Sequence, residues 1–167
     1  QATEGLARFM DTLDEETKLR GVAISYDSRH MSQEFAFEAA RVLGAHGIPS
    51  FVFESLRPTP ELSFTVRHLH AYAGIMITAS HNPKQYNGYK IYGEDGAQMP
   101  PKESDMITNY IREVDDLFAV EVADKDALIN DNTLQVIGSE VDEVYLENAK
   151  EVTIDRELVA EEGKTMK

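Results

Sequence analysis

The sequence contains no cysteine among its 167 residues, and this absence excludes several kinds of chemistry. Without a thiol the chain has no disulfide framework, no thiolate zinc site and no cysteine nucleophile. Histidine is scarce, with five residues, and the nearest pair is His68 and His70 on a segment with helical periodicity. Residues at i and i+2 of a helix face different directions, so a histidine metal site is not expected.

Basic residues are outnumbered, since 16 Lys and Arg against 30 Asp and Glu give a net charge of −14. The acidic excess is spread along the chain, and such a surface repels a nucleic acid duplex or an anionic membrane, so neither is expected as a partner. No apolar run approaches the ~18–20 residues that a membrane-spanning helix needs, and no basic-then-apolar leader opens the chain. We therefore expect a cytoplasmic protein.

What remains is an ordinary globular composition, with 42% apolar and 28% charged residues. Apolar periodicity predicts helices that begin near Thr3, Ser32, Thr59, Pro101 and Ser139, and strands over 22–26, 51–53, 74–78 and 89–92. Phe35 and Phe118 are expected to face the core, and the polar segment 124–132 is expected to form turns. Alternating strands and helices predict a three-layer α/β/α sandwich with a mixed, mostly parallel sheet, in which strand 89–92 is antiparallel.

Polar side chains are concentrated in the loop between the third and fourth predicted strands. The loop contains Thr78-Ala79-Ser80-His81-Asn82-Pro83 and continues to Tyr86-Asn87-Gly88-Tyr89-Lys90. In open α/β sheets, loops beyond the carboxyl ends of the strands bind ligands. Ser80 offers a hydroxyl, His81 and Asn82 can donate to phosphate oxygens, and Lys90 can act as a cation or, when desolvated, as a proton-transfer group.

The same residues are also compatible with a purely structural turn, because Ser, Asn, Pro and Gly are common in turns of every kind. Lys90 taken alone matches a solvated strand residue. Asp27-Ser28-Arg29 matches a strand end with a local Asx turn and a surface cation. The residues by themselves therefore leave a phosphoryl-binding loop and a structural loop both open.

The run from Gly74 to Pro83, followed by Asn87-Gly88-Tyr89-Lys90, resembles the active-serine signature of the α-D-phosphohexomutases, the phosphoglucomutase and phosphomannomutase superfamily. Two further segments are similar to that family: 21–29, which matches its first strand ending in Asp-x-Arg, and 57–60, which matches the segment before its second helix. The resemblance covers roughly residues 3 to 150.

The resemblance implies a role for each matching residue. Ser80 matches the serine that is phosphorylated in the resting enzyme, His81 matches a phosphate-contacting neighbour in the catalytic loop, and Lys90 matches the lysine proposed to assist proton transfer. It assigns substrate and phosphate binding to Asn82, Asn87 and Arg29. It also implies Mg²⁺, bound through the phosphate on Ser80 and otherwise by aspartates of a second domain, and a sugar bisphosphate such as glucose 1,6-bisphosphate as intermediate and activator.

The family has four domains, so the resemblance implies that residues 1–138 form its first domain and residues 139–167 a linker helix and the start of a truncated second domain. The chain ends on Lys164-Thr165-Met166-Lys167 without a terminating signal, and we expect the fragment alone to be inactive.

Within the family, Tyr86 to Gly93 is most similar to the longer bacterial α-phosphoglucomutases, which interconvert glucose 1-phosphate and glucose 6-phosphate. Phosphomannomutase and phosphopentomutase are the alternatives within the superfamily. The resemblance implies a hexose phosphate substrate and the remaining domains of the same chain as partners. Outside it stand a non-catalytic acidic binding domain and a serine-dependent phosphomonoesterase.

Overall fold

A computed structural model describes residues 1–165 of the protein. The helices of this part of the chain are α1 Ala2–Met10, α2 Glu15–Lys18, α3 Ser32–Ala45, α4 Thr59–His68, α5 Pro101–Arg112, α6 Lys125–Asn130, α7 Ser139–Glu151 and α8 Arg156–Glu162. The strands are β1 Val22–Tyr26, β2 Ser50–Phe53, β3 Ala73–Ile77, β4 Tyr89–Tyr92 and β5 Leu134–Ile137. A short 3₁₀ turn covers Leu117–Ala119.

The five strands form one sheet in the order β4-β3-β1-β2-β5. Strand β1 pairs in parallel with β2 and β3, β2 pairs in parallel with β5, and β4 is antiparallel to β3. The carboxyl ends of the four parallel strands therefore share one edge of the sheet, and the first residues of β4 lie at that same edge because β4 runs the other way.

Helices cover both faces of the sheet. Side chains of β1 alternate between the faces, with Val22 and Ile24 in the cluster that includes α1 and α3, and Ala23 in the cluster that includes α4. Helix α5 packs on α1, and α6 packs on α3 and β5. Burial of each large aliphatic side chain contributes about 1.5–3 kcal/mol, so these two apolar layers are the main support of the sheet.

The predicted α/β/α sandwich with a mixed, mostly parallel sheet is confirmed. Four of the five predicted helices, α3, α4, α5 and α7, begin at the predicted residues Ser32, Thr59, Pro101 and Ser139. Helix α1 begins at Ala2, one residue before the predicted start. Helix boundaries depend on local geometry that periodicity does not resolve, which accounts for this shift.

Two aromatic residues and one segment were predicted wrongly. Phe35 is 46% exposed on α3, and Phe118 is fully exposed in the 3₁₀ turn, because α5 ends at Arg112 and its apolar face ends with it. The segment predicted to form turns contains α6, which is capped by Asp124 through a bond from the N–H of Ala127. Strand β5 follows directly and was not predicted.

Helix α7, predicted as a linker, is packed against α4. Arg57 donates through Nε and Nη2 to the two carboxylate oxygens of Asp142 on α7, both at 2.7 Å. The rings of Phe64 on α4 and Tyr145 on α7 lie 5.6 Å apart, and Val141 is buried. The proposed division of the chain at residue 138 stays a prediction. Across residues 1–165, no helix is both long and apolar enough to cross a lipid bilayer.

Candidate active site

The polar loop lies at the sheet edge where the parallel strands end. Ser80 follows β3 by three residues and is exposed. The β3–β4 register pairs Met76 with Lys90, so the lysine of β4 lies beside the start of the loop. Lys90 Nζ donates to Ser80 Oγ at 2.6 Å. The pairing of an antiparallel strand with β3 thus places an ammonium group against the exposed hydroxyl.

The backbone of Ser80 has a left-handed conformation, with φ of 53°. For a residue with a Cβ this conformation costs about 1–2 kcal/mol and persists where neighbouring bonds hold it. The N–H of Ser80 donates to Thr78 Oγ1 at 3.1 Å, and its carbonyl accepts from Arg29 Nη2 at 2.7 Å. Both backbone polar groups of the serine are therefore held by hydrogen bonds, and its side chain lines the cleft.

The tip of the loop carries His81 and Asn82, both exposed. The N–H of Asn82 donates to the carbonyl of Ala79 at 3.0 Å, which closes the turn. Among residues 1–165, no protein group forms a hydrogen bond with the side chains of His81 or Asn82. Their donors are open to a ligand beside Ser80.

Arg29 and Asn87 have different surroundings from the loop tip, although both are predicted phosphate-binding residues. Four of the five N–H groups of the Arg29 guanidinium donate to Asp27 and to loop carbonyls. Asn87 donates through Nδ2 to Ser32 Oγ at 2.9 Å and to the carbonyl of His30 at 3.3 Å, and its Oδ1 accepts from the N–H of the next residue. Both side chains hold parts of the protein together at the base of the loop.

Asp27, directly after β1, forms hydrogen bonds with the residues that lie beneath the loop. Its Oδ1 accepts from the N–H of Arg29 and from Ser32 Oγ, both at 3.1 Å, and its Oδ2 accepts from Arg29 Nε at 3.0 Å. Burial by itself raises the pKa of the Asp27 carboxyl, but hydrogen bonds from Thr78, Arg29 and Ser32 outweigh burial and lower it below its ordinary value. The carboxylate is therefore ionised near neutral pH and balances the guanidinium.

Gly88 allows the two ends of the loop to approach each other. A Cβ at this position would lie 2.6 Å from the carbonyl oxygen of Thr78, closer than any real contact allows. The N–H of Thr78 donates to the carbonyl of Gly88 at 3.0 Å, so the contact also continues the β3–β4 pairing. The result is an open cleft of about 410 Å³ lined by residues 78–82 and 87–90.

Sequence reasoning missed the supporting roles of Thr78, Ser32 and Asp27. In the sequence, Thr78 stands out only as part of the motif, Ser32 as the start of a helix and Asp27 as the end of a strand. The available signal was topological, because polar residues that follow neighbouring parallel strands meet at one edge of the sheet. The arrangement as a whole presents a hydroxyl with one ammonium, one imidazole and one free amide, a set suited to holding a phosphoryl group.

The family model described as phosphoglucomutase/phosphomannomutase, alpha/beta/alpha domain I, matches residues 2–117. A phosphoglucomutase of Staphylococcus saprophyticus is similar to this chain, with 40% identity over 146 residues that cover 87% of the chain and 26% of the relative. A phosphoglucomutase of Staphylococcus aureus strain USA300 is 48% identical over 118 residues, covering 71% of the chain and 21% of the relative.

Solved structures show the same fold. The chain superposes with a TM-score of 0.61 on the Paramecium exocytosis-sensitive phosphoprotein pp63/parafusin, described as a phosphoglucomutase in an open form, at 19% identity over 88% of this chain and 31% of that one. A phosphoglucomutase/phosphomannomutase family protein from Burkholderia thailandensis gives a TM-score of 0.57 at 21% identity over 88% and 31%. The chain spans about a quarter of the length of the curated relatives it matches.

Proposed function

The chain belongs to the phosphoglucomutase/phosphomannomutase family, and we propose that it is the phosphoryl-carrying domain of an isomerase that moves a phosphoryl group between two hydroxyls of a hexose phosphate. The observation that carries this proposal is the 2.6 Å contact between Lys90 Nζ and Ser80 Oγ on an exposed loop at the carboxyl edge of the sheet. A structural turn has no need of a half-buried lysine paired with an exposed hydroxyl.

We propose glucose 1-phosphate and glucose 6-phosphate as the substrate pair. The two Staphylococcus relatives, at 40% and 48% identity, are both named phosphoglucomutase. Mannose and pentose phosphates are the alternatives within the superfamily. The cytoplasmic location expected from the sequence stays a prediction.

The proposed chemistry uses a phosphoserine at position 80. The Ser80 Oγ–P bond breaks as a new O–P bond forms to the free hydroxyl of the hexose phosphate, which becomes a bisphosphate. The sugar hydroxyl loses a proton and Ser80 Oγ gains one, so the serine hydroxyl is restored. After the bisphosphate turns over in the cleft, its other phosphoryl group returns to Ser80 Oγ and the isomeric monophosphate leaves. Phosphoryl transfer of this kind depends on positioning and on charge stabilisation more than on covalent activation.

Lys90, His81 and Asn82 supply the charge and donors that this step requires. A phosphoserine carries about −1.5 to −2 charges near neutral pH, and the protein has a net charge of −14, so nearby cations and donors are needed. Lys90 already donates to Ser80 Oγ. In the transfer its ammonium stabilises the charge that develops on Oγ when the O–P bond breaks, and it can deliver a proton there.

Mg²⁺ is the metal that we propose for the whole protein, on the basis of family membership. The phosphate on Ser80 offers one oxygen ligand, whereas octahedral Mg²⁺ takes six, mostly from water and carboxylates. Within residues 1–165, no group of three or more His, Asp or Glu side chains could hold a metal ion. The described residues therefore do not form a metal site by themselves.

The proposal is tested with the full-length protein and glucose 1-phosphate, by measuring glucose 6-phosphate formation with Mg²⁺ and glucose 1,6-bisphosphate present. Ser80→Ala should lose essentially all isomerisation while it stays folded by circular dichroism. Ser28→Ala removes an exposed hydroxyl from the neighbouring loop at the same sheet edge and should keep the wild-type rate.

Three results would contradict the proposal. Isomerisation by Ser80→Ala would show that this hydroxyl is not the carrier. Steady release of inorganic phosphate without an isomeric product would favour a phosphomonoesterase. No turnover of glucose, mannose or pentose phosphates by the wild-type protein would favour an acidic binding domain.

A further inference from the structure

The side chain of Arg29 lies beneath the Ser80 loop and is only 11% exposed. Its Nη2 donates to the carbonyl of Ser80 at 2.7 Å, and its Nη1 donates to the carbonyls of Pro83 at 2.7 Å and Tyr86 at 3.1 Å. One guanidinium therefore contacts the loop at three places: at Ser80, at Pro83 in the turn, and at Tyr86 before β4 begins. The rigid planar fork of arginine makes such a set of contacts possible.

We propose that Arg29 is a positioning residue for the serine loop, rather than a ligand of the substrate phosphate. This inference rests on the proposed function of Ser80 and adds to it the group that holds the nucleophile in its reactive conformation. Four of the five guanidinium N–H groups are already used by Asp27 and by loop carbonyls. A bidentate grip on a phosphate would require the loop to release the guanidinium.

The contacts of Arg29 with the loop stabilise the unusual backbone conformation of Ser80. A serine with a left-handed φ of 53° relaxes to a negative φ unless its flanking peptide groups are fixed. Thr78 Oγ1 fixes the N–H of Ser80, and Arg29 fixes its carbonyl. If the carbonyl is released, the Cα–Cβ bond swings and Oγ moves away from Lys90 Nζ.

Asp27 balances the positive charge of the Arg29 guanidinium. The carboxylate accepts from Nε and from the backbone N–H of Arg29, so the pair is oriented by two bonds and is close to neutral as a unit. The positive field at the phosphate then comes from Lys90 and from the exposed donors of the loop tip. Arg29 acts through geometry, so its loss should lower the rate of transfer and not the affinity for substrate.

Arg20 offers a matched control at the other end of the strands, just before β1 begins. It too donates to backbone carbonyls, those of His70 at 2.8 Å and Ala71 at 3.4 Å, and it forms an ion pair with Glu94 at 2.8 Å. Its side chain is 34% exposed, and its contacts are remote from the cleft. Substitution of Arg20 therefore reports what the loss of a carbonyl-binding arginine does to stability alone.

The test compares Arg29→Lys, Arg29→Met, Arg20→Lys and Arg20→Met in the full-length protein, at a temperature well below the unfolding transition of each variant. Hydrogen exchange is measured on peptides that cover residues 79–88, where the N–H groups of Ser80, Asn82, Tyr86 and Gly88 are all bonded within the loop. Steady-state kinetics then gives kcat and KM for glucose 1-phosphate.

Both Arg29 variants should exchange the loop amides at least about tenfold faster than wild type, because each lost bond to a charged donor weakens the closed loop. Their kcat should fall about 10²-fold, the scale of an ångström-sized misplacement, while KM stays near the wild-type value. Arg29→Lys should not rescue either property, since one ammonium cannot reach all the carbonyls. Both Arg20 variants should match wild type in loop exchange and kcat.

Unchanged loop exchange in Arg29→Met would overturn the inference. A large rise in KM with kcat preserved would do so as well, because it would make Arg29 a direct ligand of the substrate. Failure of the proposed function appears differently, as wild-type protein without isomerase activity. In that case the loop exchange of the four variants still decides whether Arg29 holds the loop.

Discussion

Glu61 on α4 should make the stability of this domain depend on pH in an unusual direction. Its side chain is 6% exposed, and Oε1 has no hydrogen-bond partner within the described residues. Arg57 donates through Nε and Nη2 to Asp142, and its Nε lies 4.0 Å from Glu61 Oε1. Burial, followed by the adjacent Asp142 carboxylate, raises the pKa of Glu61 from 4.5 to about 7.

Proton linkage gives the direction in which the free energy of unfolding changes with pH. An unfolded chain releases the Glu61 proton near pH 4.5 and the folded chain near pH 7, so the folded state binds the proton more tightly. The stabilising contribution is present below about pH 4.5 and is lost as the pH rises to about 7. At about 1.4 kcal/mol for each pKa unit, the free energy of unfolding falls by up to about 3 kcal/mol across this window.

Asp142 does not obscure this effect. Arg57 lowers the pKa of the Asp142 carboxyl below its ordinary value of 3.8, so its contribution is lost only as the pH falls below that range. Glu61→Gln keeps the shape and removes the titration. We expect the variant to equal wild type near pH 4.5, to be more stable near pH 8, and to show a flatter profile between those values.

The assay is urea unfolding followed by circular dichroism at several pH values from 4.5 to 8. Glu4→Gln is the control of opposite sign. Burial raises the pKa of Glu4, but its bonds to Arg8 and His46 outweigh burial and lower it, so losing this carboxylate should destabilise the protein at neutral pH. Parallel profiles for wild type and Glu61→Gln, or a less stable Glu61→Gln at pH 8, would refute the reasoning.

Two further substitutions test the loop itself. Lys90→Met should stay folded and lower kcat by ~10²–10⁴-fold, the usual contribution of a proton-transfer or charge-stabilising group. Lys84→Met, which replaces an exposed lysine of the same loop, should keep the wild-type kcat. A loss below about tenfold for Lys90→Met would make Lys90 a structural residue. Gly88→Ala should cost about 1–3 kcal/mol in thermal unfolding because its Cβ meets the Thr78 carbonyl at 2.6 Å. Gly93→Ala meets only an Asp95 side-chain oxygen at 3.3 Å, and equal losses for the two glycines would contradict this packing argument.

The sequence was most informative where local chemistry and topology agree. The apolar runs that became β1, β3 and β4 are bounded by turn residues, so both their existence and the exposed position of Ser80 could be predicted. Family membership was likewise predicted from the serine motif and is confirmed by the domain match over residues 2–117. The contact between Lys90 and Ser80 follows from the antiparallel pairing of β4 with β3.

Other features depend on partners far away in the sequence. Strand β5 is short, and Gln135 and Val136 in its middle are exposed, so its pattern is too weak to distinguish it from a loop. Arg29 contacts carbonyls 51 to 57 residues further along the chain, and no local pattern shows that these carbonyls converge on it. Burial of Phe35 and Phe118 was predicted from helical spacing, which cannot show where a covering element is missing.

Peptide mapping of the natural full-length protein by mass spectrometry tests most directly whether Ser80 carries the phosphoryl group. The prediction is one phosphate on the peptide that contains Thr78 to Lys90, located on Ser80, which disappears on incubation with excess glucose 1-phosphate as the bisphosphate is released. A phosphate on another residue, or full isomerase activity in protein that never carries one on Ser80, would contradict it.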